Sequence, residues 1–180
     1  SAISGRILSI AIHVGSIPGM NFAEIFGGDR EFVFGIDALG NEQPEREALT
    51  SFLNLLRDFD CDTDEIVGHN ILAFDLPFIF QRCLINNIPV CPFVDLSNYN
   101  ASGVFDTMRC WWFGDRRGRV SLDDLAWALG IESSKTEAVE GSKVFELYQA
   151  GRLSEIRDYN LRDIRLTRKV YERMVGCFGR

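Results

Sequence analysis

The sequence contains only two histidines, His13 and His69, and they lie far apart in the chain. No His-based metal site can be assembled from this pair, so that class of metalloprotein is excluded. The five cysteines are an odd number and none of them forms a C-x-x-C pair, which argues against a zinc ribbon and a disulfide framework. Reduced, mostly buried thiols of this kind are typical of a cytoplasmic protein, and we expect a cytoplasmic location.

The chain also lacks an apolar run of about 18 residues, the length that a membrane span needs. Its first residues do not show the basic and then apolar pattern of a signal peptide. Hydrophobic residues make up 46% and charged residues 25% of the 180 residues, which excludes disordered, collagen-like and low-complexity proteins. We therefore expect one domain over residues 1–180, with no membrane partner.

Positive charge is scarce in the first half of the chain. Residues 1–100 hold 5 Lys and Arg against 14 Asp and Glu, whereas residues 101–180 hold 14 against 12. A chain with a net charge of −7 is not a general polyanion binder. Any contact with phosphates should therefore lie in the second half, where Arg116, Arg117 and Arg119 cluster, although this cluster also fits a solvated loop.

The spacing of apolar residues predicts strands first, and then helices that alternate with short strands. Such an order is typical of an α/β or α+β domain. The first two strands are expected to pair antiparallel. Ser121 and Asp124 resemble a capping box at a helix start. The predicted strands cover Arg6–Val14, Glu31–Ile36, Glu65–Gly68 and Gly103–Phe105. One predicted helix begins at Pro44, and the others cover Phe74–Asn87, the stretch from Ser121 to Leu129, Ser142–Ala150 and Leu153–Val175.

Asp163 is the unusual residue of the last predicted helix. At about 100° per residue it falls on the apolar face with Tyr159, while the arginines of this helix fall on the face toward water. Tyr159 precedes it by four positions, so the two side chains are neighbours on one surface. A carboxylate that points to a core needs a cation, strong hydrogen bonds or protonation. A buried arginine partner for Asp163 and a core position for Tyr159 are the structural alternatives.

A second acid, Asp75, follows a short strand and lies in the first turn of the next helix. The helix dipole favours an anion there, and a strand–helix junction can place a carboxylate in a cleft. Plain N-terminal capping is the structural alternative for Asp75. For His69, just after the strand, a structural role is favoured.

These residues carry a resemblance to a known family. Asn70-x-x-x-Phe74-Asp75 resembles the second exonuclease motif of the DEDD superfamily, in the spacing of family-B DNA polymerase proofreading domains. Tyr159-x-x-x-Asp163 resembles the third motif in its tyrosine form, the DEDDy type. The stretch from Ser121 to Ala126 also resembles the predicted DNA-polymerase-B-like 3′-5′ exonucleases. The resemblance implies a ribonuclease-H-like α/β fold, with a mixed central β-sheet flanked by helices.

The resemblance also implies a function and roles for particular residues. The expected activity is metal-dependent 3′-5′ exonuclease hydrolysis of terminal phosphodiester bonds in single-stranded DNA. Asp75 and Asp163 are expected as ligands of a two-metal site for Mg²⁺ or Mn²⁺. Tyr159 is expected to orient the attacking water, and Asn70 and Phe74 to contact the last nucleotide. Asp106 receives no catalytic role and is expected to be a hydrogen-bonded structural acid.

The first motif of the family, Asp-x-Glu on the first central strand, is not found in this sequence. Asp29-Arg30-Glu31 matches the bare pattern but precedes a later strand. We expect either that the first central strand lies upstream of residue 1, or that the chain is a remnant that no longer cuts. In the second case it would be a catalytically inactive module that binds nucleic acid or a protein partner through Trp111–Phe113. A sheet without its central strand also favours strand exchange and a homo-oligomer.

Overall fold

A computed structural model describes residues 5–15, 29–90, 102–113, 118–132 and 143–178. Strands and helices alternate along these ranges much as the sequence pattern predicts. In chain order they are β1 (Ile10–Val14), β2 (Arg30–Phe34), α1 (Glu45–Leu55), β3 (Ile66–Gly68), α2 (Asp75–Ile85), β4 (Val104–Asp106), α3 (Thr107–Trp111), α4 (Leu122–Ala128), α5 (Val144–Gln149) and α6 (Leu153–Phe178).

The strands pair in both directions. β1 and β2 are antiparallel, with Ile10 opposite Phe34 and Val14 opposite Arg30. β3 and β4 are parallel, with Gly68 opposite Asp106 at their ends. The antiparallel pairing confirms the prediction for the first two strands. The parallel pair brings the ends of two strands to one edge, and the residues that follow each strand therefore meet there.

β2 ends two residues earlier than its apolar pattern suggests. Gly35 has a φ of +94°, a conformation that side chains rarely adopt, and a Cβ at this position would lie 2.2 Å from the carbonyl oxygen of Leu8. The backbone must therefore pass close to Leu8 at this point. Beyond it, Ile36 makes only an isolated bridge to Glu42.

One part of the core lies between the β1–β2 hairpin and helices α1 and α2. Leu49, Phe52 and Cys83 are buried in it. Glu45, the first residue of α1, ties three segments together. Its carboxylate accepts hydrogen bonds from Arg82 Nε (2.8 Å) and from the backbone N–H of Ile7 (2.7 Å), and also from the side-chain amide of Asn86.

Helix α6 forms the other large part of the core with β4 and α4. Its buried residues include Val170, Tyr171 and Met174. The Tyr171 ring meets the Phe105 ring edge-on, with 4.9 Å between centroids, and its hydroxyl donates to Glu65 Oε2 at 2.7 Å. With 26 residues, α6 is about 39 Å long. It packs on β1, β2 and β3 and on α3, α4 and α5, so it positions its own side chains against most of the fold.

The helical pattern predicts that the arginines of α6 face water, but two of them instead form ion pairs with acids near the start of the chain. Arg165 Nη2 lies 2.6 Å from Glu31 Oε2, and Arg168 Nη1 lies 2.7 Å from Asp29 Oδ2. Long arginine side chains can leave the helix surface at its edge and still reach a neighbouring strand. The two acids of the bare Asp-x-Glu pattern are thus engaged with α6.

The cysteines of the described ranges are free thiols. Cys83 is buried, and burial raises its pKa to about 11. Cys61 and Cys110 are partly exposed and Cys177 is exposed, so the expectation of mostly buried thiols is wrong for these positions. None of the helices in the described residues is long and apolar enough to span a membrane.

Candidate active site

The turn between β3 and α2 is built around one buried carboxylate. Asp106, at the end of β4, accepts the backbone N–H of Asn70 at 3.0 Å and that of Leu72 at 3.2 Å. Asn70 has a φ of +61°, which asparagine tolerates better than most residues. A Cβ at position 68 would lie 2.5 Å from Ile71 Cβ, so only glycine fits at the end of β3. The turn is therefore held in one shape.

Asp106 also begins helix α3. Its carboxylate caps the helix by accepting the backbone N–H groups of Met108 (3.1 Å) and Arg109 (3.2 Å). The residue is only 6% exposed. Four backbone donors from two segments thus converge on one acid, which confirms the prediction of a hydrogen-bonded structural role.

His69 joins this turn to the segment that leads into α4. Its Nε2 lies 2.8 Å from the carbonyl oxygen of Val120, and its Nδ1 lies 2.9 Å from Thr107 Oγ1. A carbonyl oxygen only accepts, so Nε2 carries a proton. Both ring nitrogens are engaged in the fold, and the predicted structural role of His69 is confirmed.

Asp75 is the first residue of α2 and is an exposed residue. Nearby protein atoms displace part of the water around its carboxyl group, and this desolvation raises its pKa from 3.8 to about 6, with a further contribution from the negative charge of Asp106. Water that reaches the carboxyl offsets part of the desolvation. The preceding Phe74 makes no side-chain cap. Asp75 is therefore not the N-cap residue of α2, although a backbone hydrogen bond to its carboxyl lowers its pKa in part.

Tyr159 and Asp163 interact directly on α6. The phenol donates a hydrogen bond to the carboxylate, and both side chains are partly buried. Burial raises the pKa of Asp163 above its ordinary value, and the charge of Asp123 raises it further, while the bond from Tyr159 and the charge of Arg162 lower it. Burial and the charge of Asp163 raise the pKa of Tyr159, so the phenol keeps its proton at neutral pH. The structural alternative was a buried arginine partner for Asp163, but within the described ranges no ion pair between Asp163 and an arginine is found.

Asp123 is the acid that the sequence pattern did not single out. It lies in the first turn of α4, and its charge acts on both Asp163 and Tyr159. Ser121 caps this helix by accepting the backbone N–H of Asp124 at 3.1 Å, as predicted. An acid in the first turn of a helix is usually explained by the helix dipole alone. The sequence pattern therefore gave no reason to expect Asp123 near Asp163.

The two residues predicted to contact a substrate both lie near Asp75. Phe74 is 59% exposed and stacks on Phe78, with 5.7 Å between ring centroids. The side-chain oxygen Oδ1 of Asn70 is buried and has no hydrogen-bond partner. An unpartnered buried oxygen is costly, so a ligand that satisfied it would gain free energy.

The acids form two neighbourhoods, one of Asp75 with Asp106 and one of Asp163 with Asp123. The bond between His69 and Val120 links the segments that carry them. A direct convergence of Asp75 and Asp163 stays a prediction, because the charges that act on each come from different neighbours. No group of three or more His, Cys, Asp and Glu side chains that could hold a metal occurs in the described parts of the chain. Arg116 and Arg117 lie outside these parts, while Arg119 is exposed.

A family model described as a predicted 3′-5′ exonuclease related to the exonuclease domain of PolB matches residues 21–180. The chain belongs to this family. Similar proteins include the DNA polymerase delta catalytic subunits of Glycine max, 31% identical over 132 residues, and of Arabidopsis thaliana, 30% identical over 133 residues. These matches cover 72% and 73% of this chain but only 10% of each polymerase subunit.

A solved structure has a similar fold. A family B DNA polymerase from the hyperthermophilic archaeon Pyrobaculum calidifontis superposes with a TM-score of 0.63 at 24% identity, over 81% of this chain and 20% of that polymerase. The predicted ribonuclease-H-like α/β fold is thereby confirmed, although the strands in the described residues form two separate two-stranded sheets, one antiparallel and one parallel, rather than a single mixed sheet. The chain spans about a tenth of the length of the curated relatives that it matches.

Proposed function

We propose that this chain is the exonuclease unit of a metal-dependent 3′-5′ exonuclease that removes nucleotides from the end of single-stranded DNA. The main support is a pair of acids on different elements, Asp75 and Asp163, whose pKa values are both raised. Each has a second acid nearby. Structural acids of a folded domain more often have lowered pKa values, so two raised ones point to a functional site. Membership of the PolB-related exonuclease family supports the reaction type.

Asp75 and Asp163 fit a divalent cation in their chemistry. Carboxylate oxygens are the ligands that Mg²⁺ and Mn²⁺ prefer, and each of these partly desolvated carboxyls has a second acid nearby, so added positive charge would be favourable there. When bound, the cation supplies that charge and polarises the phosphate and the attacking water. Two carboxylates are few for a two-metal site. We therefore propose that an Asp-x-Glu pair outside this sequence completes the ligand set.

Tyr159 acts as a donor in this proposal. Its raised pKa keeps the phenol protonated at neutral pH, so it cannot serve as the base that removes a proton from water. Its hydroxyl already donates to Asp163. In that position it can orient the Asp163 carboxyl, or hand its hydrogen bond to the water that attacks the terminal phosphodiester.

Asn70 and Phe74 provide the contacts to the last nucleotide. The exposed ring of Phe74 lies one residue before Asp75 and offers a face on which a terminal base can stack. The buried oxygen of Asn70 can accept from a sugar hydroxyl or a base amino group, which would satisfy its missing hydrogen bond. Both residues follow β3 on the turn that Asp106 fixes, so the nucleotide would meet a rigid surface.

The test is shortening of a 5′-labelled single-stranded oligonucleotide with Mg²⁺ or Mn²⁺, compared with EDTA. It should be made with the 180-residue chain and, where the natural polypeptide extends further, with the whole polypeptide. We expect a ladder that shortens from the 3′ end, and a loss of about 100-fold or more in rate for Asp163→Asn and Asp75→Asn, since each removes a carboxylate that would hold the divalent cation. Asp58→Asn, at an exposed acid, is the control and should keep full activity.

Two outcomes would contradict this assignment. One is the absence of metal-dependent shortening in the longest natural polypeptide. The other is an Asp163→Asn variant as active as the Asp58→Asn control. Binding of the oligonucleotide without any shortening would instead support the non-catalytic nucleic-acid-binding module.

A further inference from the structure

The end of helix α3 differs from the ends of the other helices. After α2, α3, α4 and α5 the chain places one residue in the left-handed conformation, with φ between 49° and 70°. Glycine or asparagine usually occupies this position, because other side chains are strained there. The residues found there are Asn87 after α2, Phe113 after α3, Gly130 after α4 and Gly151 after α5.

Phe113 is unfavourable at this position in two ways. A bulky side chain strains the left-handed backbone, and the ring gains little from burial because the residue is 86% exposed. Its ring approaches that of Phe178, at the end of α6, edge-on with 6.5 Å between ring centroids. Neither the turn nor the core requires phenylalanine here, which suggests that the ring serves something outside the fold.

Further aromatic surface adjoins Phe113. Trp112 is 38% exposed and Phe178 is 47% exposed. The Trp112 ring packs over Gly118, where a Cβ would come within 2.3 Å of it. Trp112 directly precedes Phe113 in the chain and the Phe113 ring meets Phe178, and we call these three exposed residues at the ends of α3 and α6 the aromatic surface.

Charge beside this aromatic surface favours an anionic partner. Arg119, the residue after Gly118, is exposed, and its Nη1 donates to the Gly118 carbonyl oxygen at 3.0 Å. The surface belongs to the half of the chain with more Lys and Arg than Asp and Glu. Helix α3 begins directly after Asp106, so at 1.5 Å per residue Phe113 lies about 10 Å along the chain from that acid. A single strand of a few nucleotides whose end lies beside Asp106 can span this distance.

We propose that the aromatic surface of Trp112, Phe113 and Phe178, with Arg119 beside it, binds single-stranded nucleic acid a few nucleotides from the end that enters the active site. The inference rests on the proposed function, and it adds a second contact region that uses none of the predicted site residues. Exposed aromatic rings stack on bases without regard to sequence, and an adjacent guanidinium pairs with phosphate. An acidic protein segment could also approach the arginine but would leave the rings without flat partners.

The test replaces Phe113 by asparagine, the residue type that occupies the corresponding left-handed position after α2. Phe113→Asn removes the ring and relieves the strained backbone, so we expect a higher unfolding midpoint together with weaker binding. Binding is measured by fluorescence anisotropy of a labelled oligodeoxythymidylate of about 12 nucleotides. EDTA is present so that cleavage plays no part. Loss of one stacked base predicts about a tenfold rise in Kd.

Phe145→Asn is the matched control. Phe145 is 66% exposed on α5, which packs with the beginning of α6, whereas Phe178 lies at the other end of that long helix. This variant should bind as the wild type does. Arg119→Gln should weaken binding and make it less dependent on salt.

The proposal is overturned if the wild type does not bind the oligonucleotide, or if Phe113→Asn binds as tightly as Phe145→Asn. It is also overturned if polyglutamate competes as well as the oligonucleotide and loses affinity equally in Phe113→Asn. Cleavage by the wild type is measured separately with metal. If the chain cleaves the oligonucleotide but Phe113→Asn has no effect on binding, the proposed function stands and the proposed role of the aromatic surface is wrong. If the chain binds through Phe113 but does not cleave, the role of the aromatic surface stands and the proposed function is wrong.

Discussion

Asp75 illustrates how a single residue is set by its surroundings. It begins a helix, where the dipole favours a negative charge, yet reduced hydration and the charge of Asp106 raise its pKa to about 6. The desolvation therefore outweighs the dipole. Asp106 cannot move away, because four backbone N–H groups hold its carboxylate in place.

A pH dependence of stability follows from Asp75. A carboxyl whose pKa is higher in the folded than in the unfolded state stabilises the fold fully below its unfolded pKa, near 3.8, and loses that contribution as pH rises through about 6. The free energy of unfolding should thus fall more for the wild type than for Asp75→Asn between pH 4 and 7. Urea unfolding at several pH values measures this difference.

Asp58→Asn provides the matched comparison, and its pH profile should run parallel to that of the wild type. Parallel profiles for the wild type and Asp75→Asn would refute the prediction. Glu31, Asp37 and Glu45 have lowered pKa values and give slopes of the opposite sign. Only the difference between variants therefore isolates Asp75.

At the scale of elements, glycines fix where strands end. Gly68 allows the chain to fold back over Ile71, and this fold-back brings Asn70 to Asp106. Gly35 lets the strand β2 leave the sheet next to Leu8. Such strand ends determine where the following turn lies, as at the turn between β3 and α2. They require glycine because a side chain would occupy the space that the neighbouring backbone or side chain fills.

Gly35→Ala should therefore be strongly destabilising. Its Cβ would clash with the Leu8 carbonyl oxygen and the positive φ would be strained, at a combined cost of about 2–4 kcal/mol in the free energy of unfolding. Gly176→Ala is the control, because nothing lies within 4 Å of a Cβ there and the residue is inside α6. That change should stabilise the protein by about 0.5–1 kcal/mol. Equal midpoints in urea for the two variants would show that the close approach at Gly35 is wrong.

At the scale of the whole molecule, helix α6 connects the hairpin near the start of the chain to the parallel strands and carries Tyr159 and Asp163. The connection to the hairpin is partly electrostatic. Asp29 and Glu31 come from the acidic first half, and Arg165 and Arg168 from the second. The uneven charge of the sequence is thus partly neutralised inside the fold.

These partly exposed ion pairs should contribute little to the free energy of unfolding, and their contribution should be smaller at high salt concentration. The double variant Arg165→Gln/Arg168→Gln should lose about 0.5–2 kcal/mol in the free energy of unfolding at low ionic strength. The loss should shrink in about 1 M NaCl, where charges are screened within about 3 Å. Arg173→Gln, at an exposed position of α6, is the comparison. A loss that is unchanged by salt would mean that packing, rather than charge, makes the contribution.

Much of the fold follows from patterns within single segments. The helices that contain Leu49 and Val170, and the antiparallel pair that begins the chain, were predictable because each buries one face at a regular period. The family motifs likewise lie within five or six consecutive residues. Local sequence therefore predicts both the elements and the two principal acids.

The remaining features depend on segments that are distant in sequence. Asp123 approaches Asp163 only because α4 packs on α6, and the two arginines meet the hairpin acids only after α6 is in place. Burial raises the pKa of Asp75 most, and a further part of the rise comes from Asp106, 31 positions away in the sequence. No periodicity within one segment contains this information, since tertiary packing determines which charges become neighbours.

The Glu45 carboxylate has a practical consequence for shortened versions of the protein. One of its oxygens is shared between the Arg82 guanidinium and the amide of Ile7. A polypeptide trimmed to start at Leu8 would lose that amide, and the partly buried acid would have to recruit water in its place. Deletion series made for expression should consequently show a drop in thermal tolerance between starts at Arg6 and at Leu8.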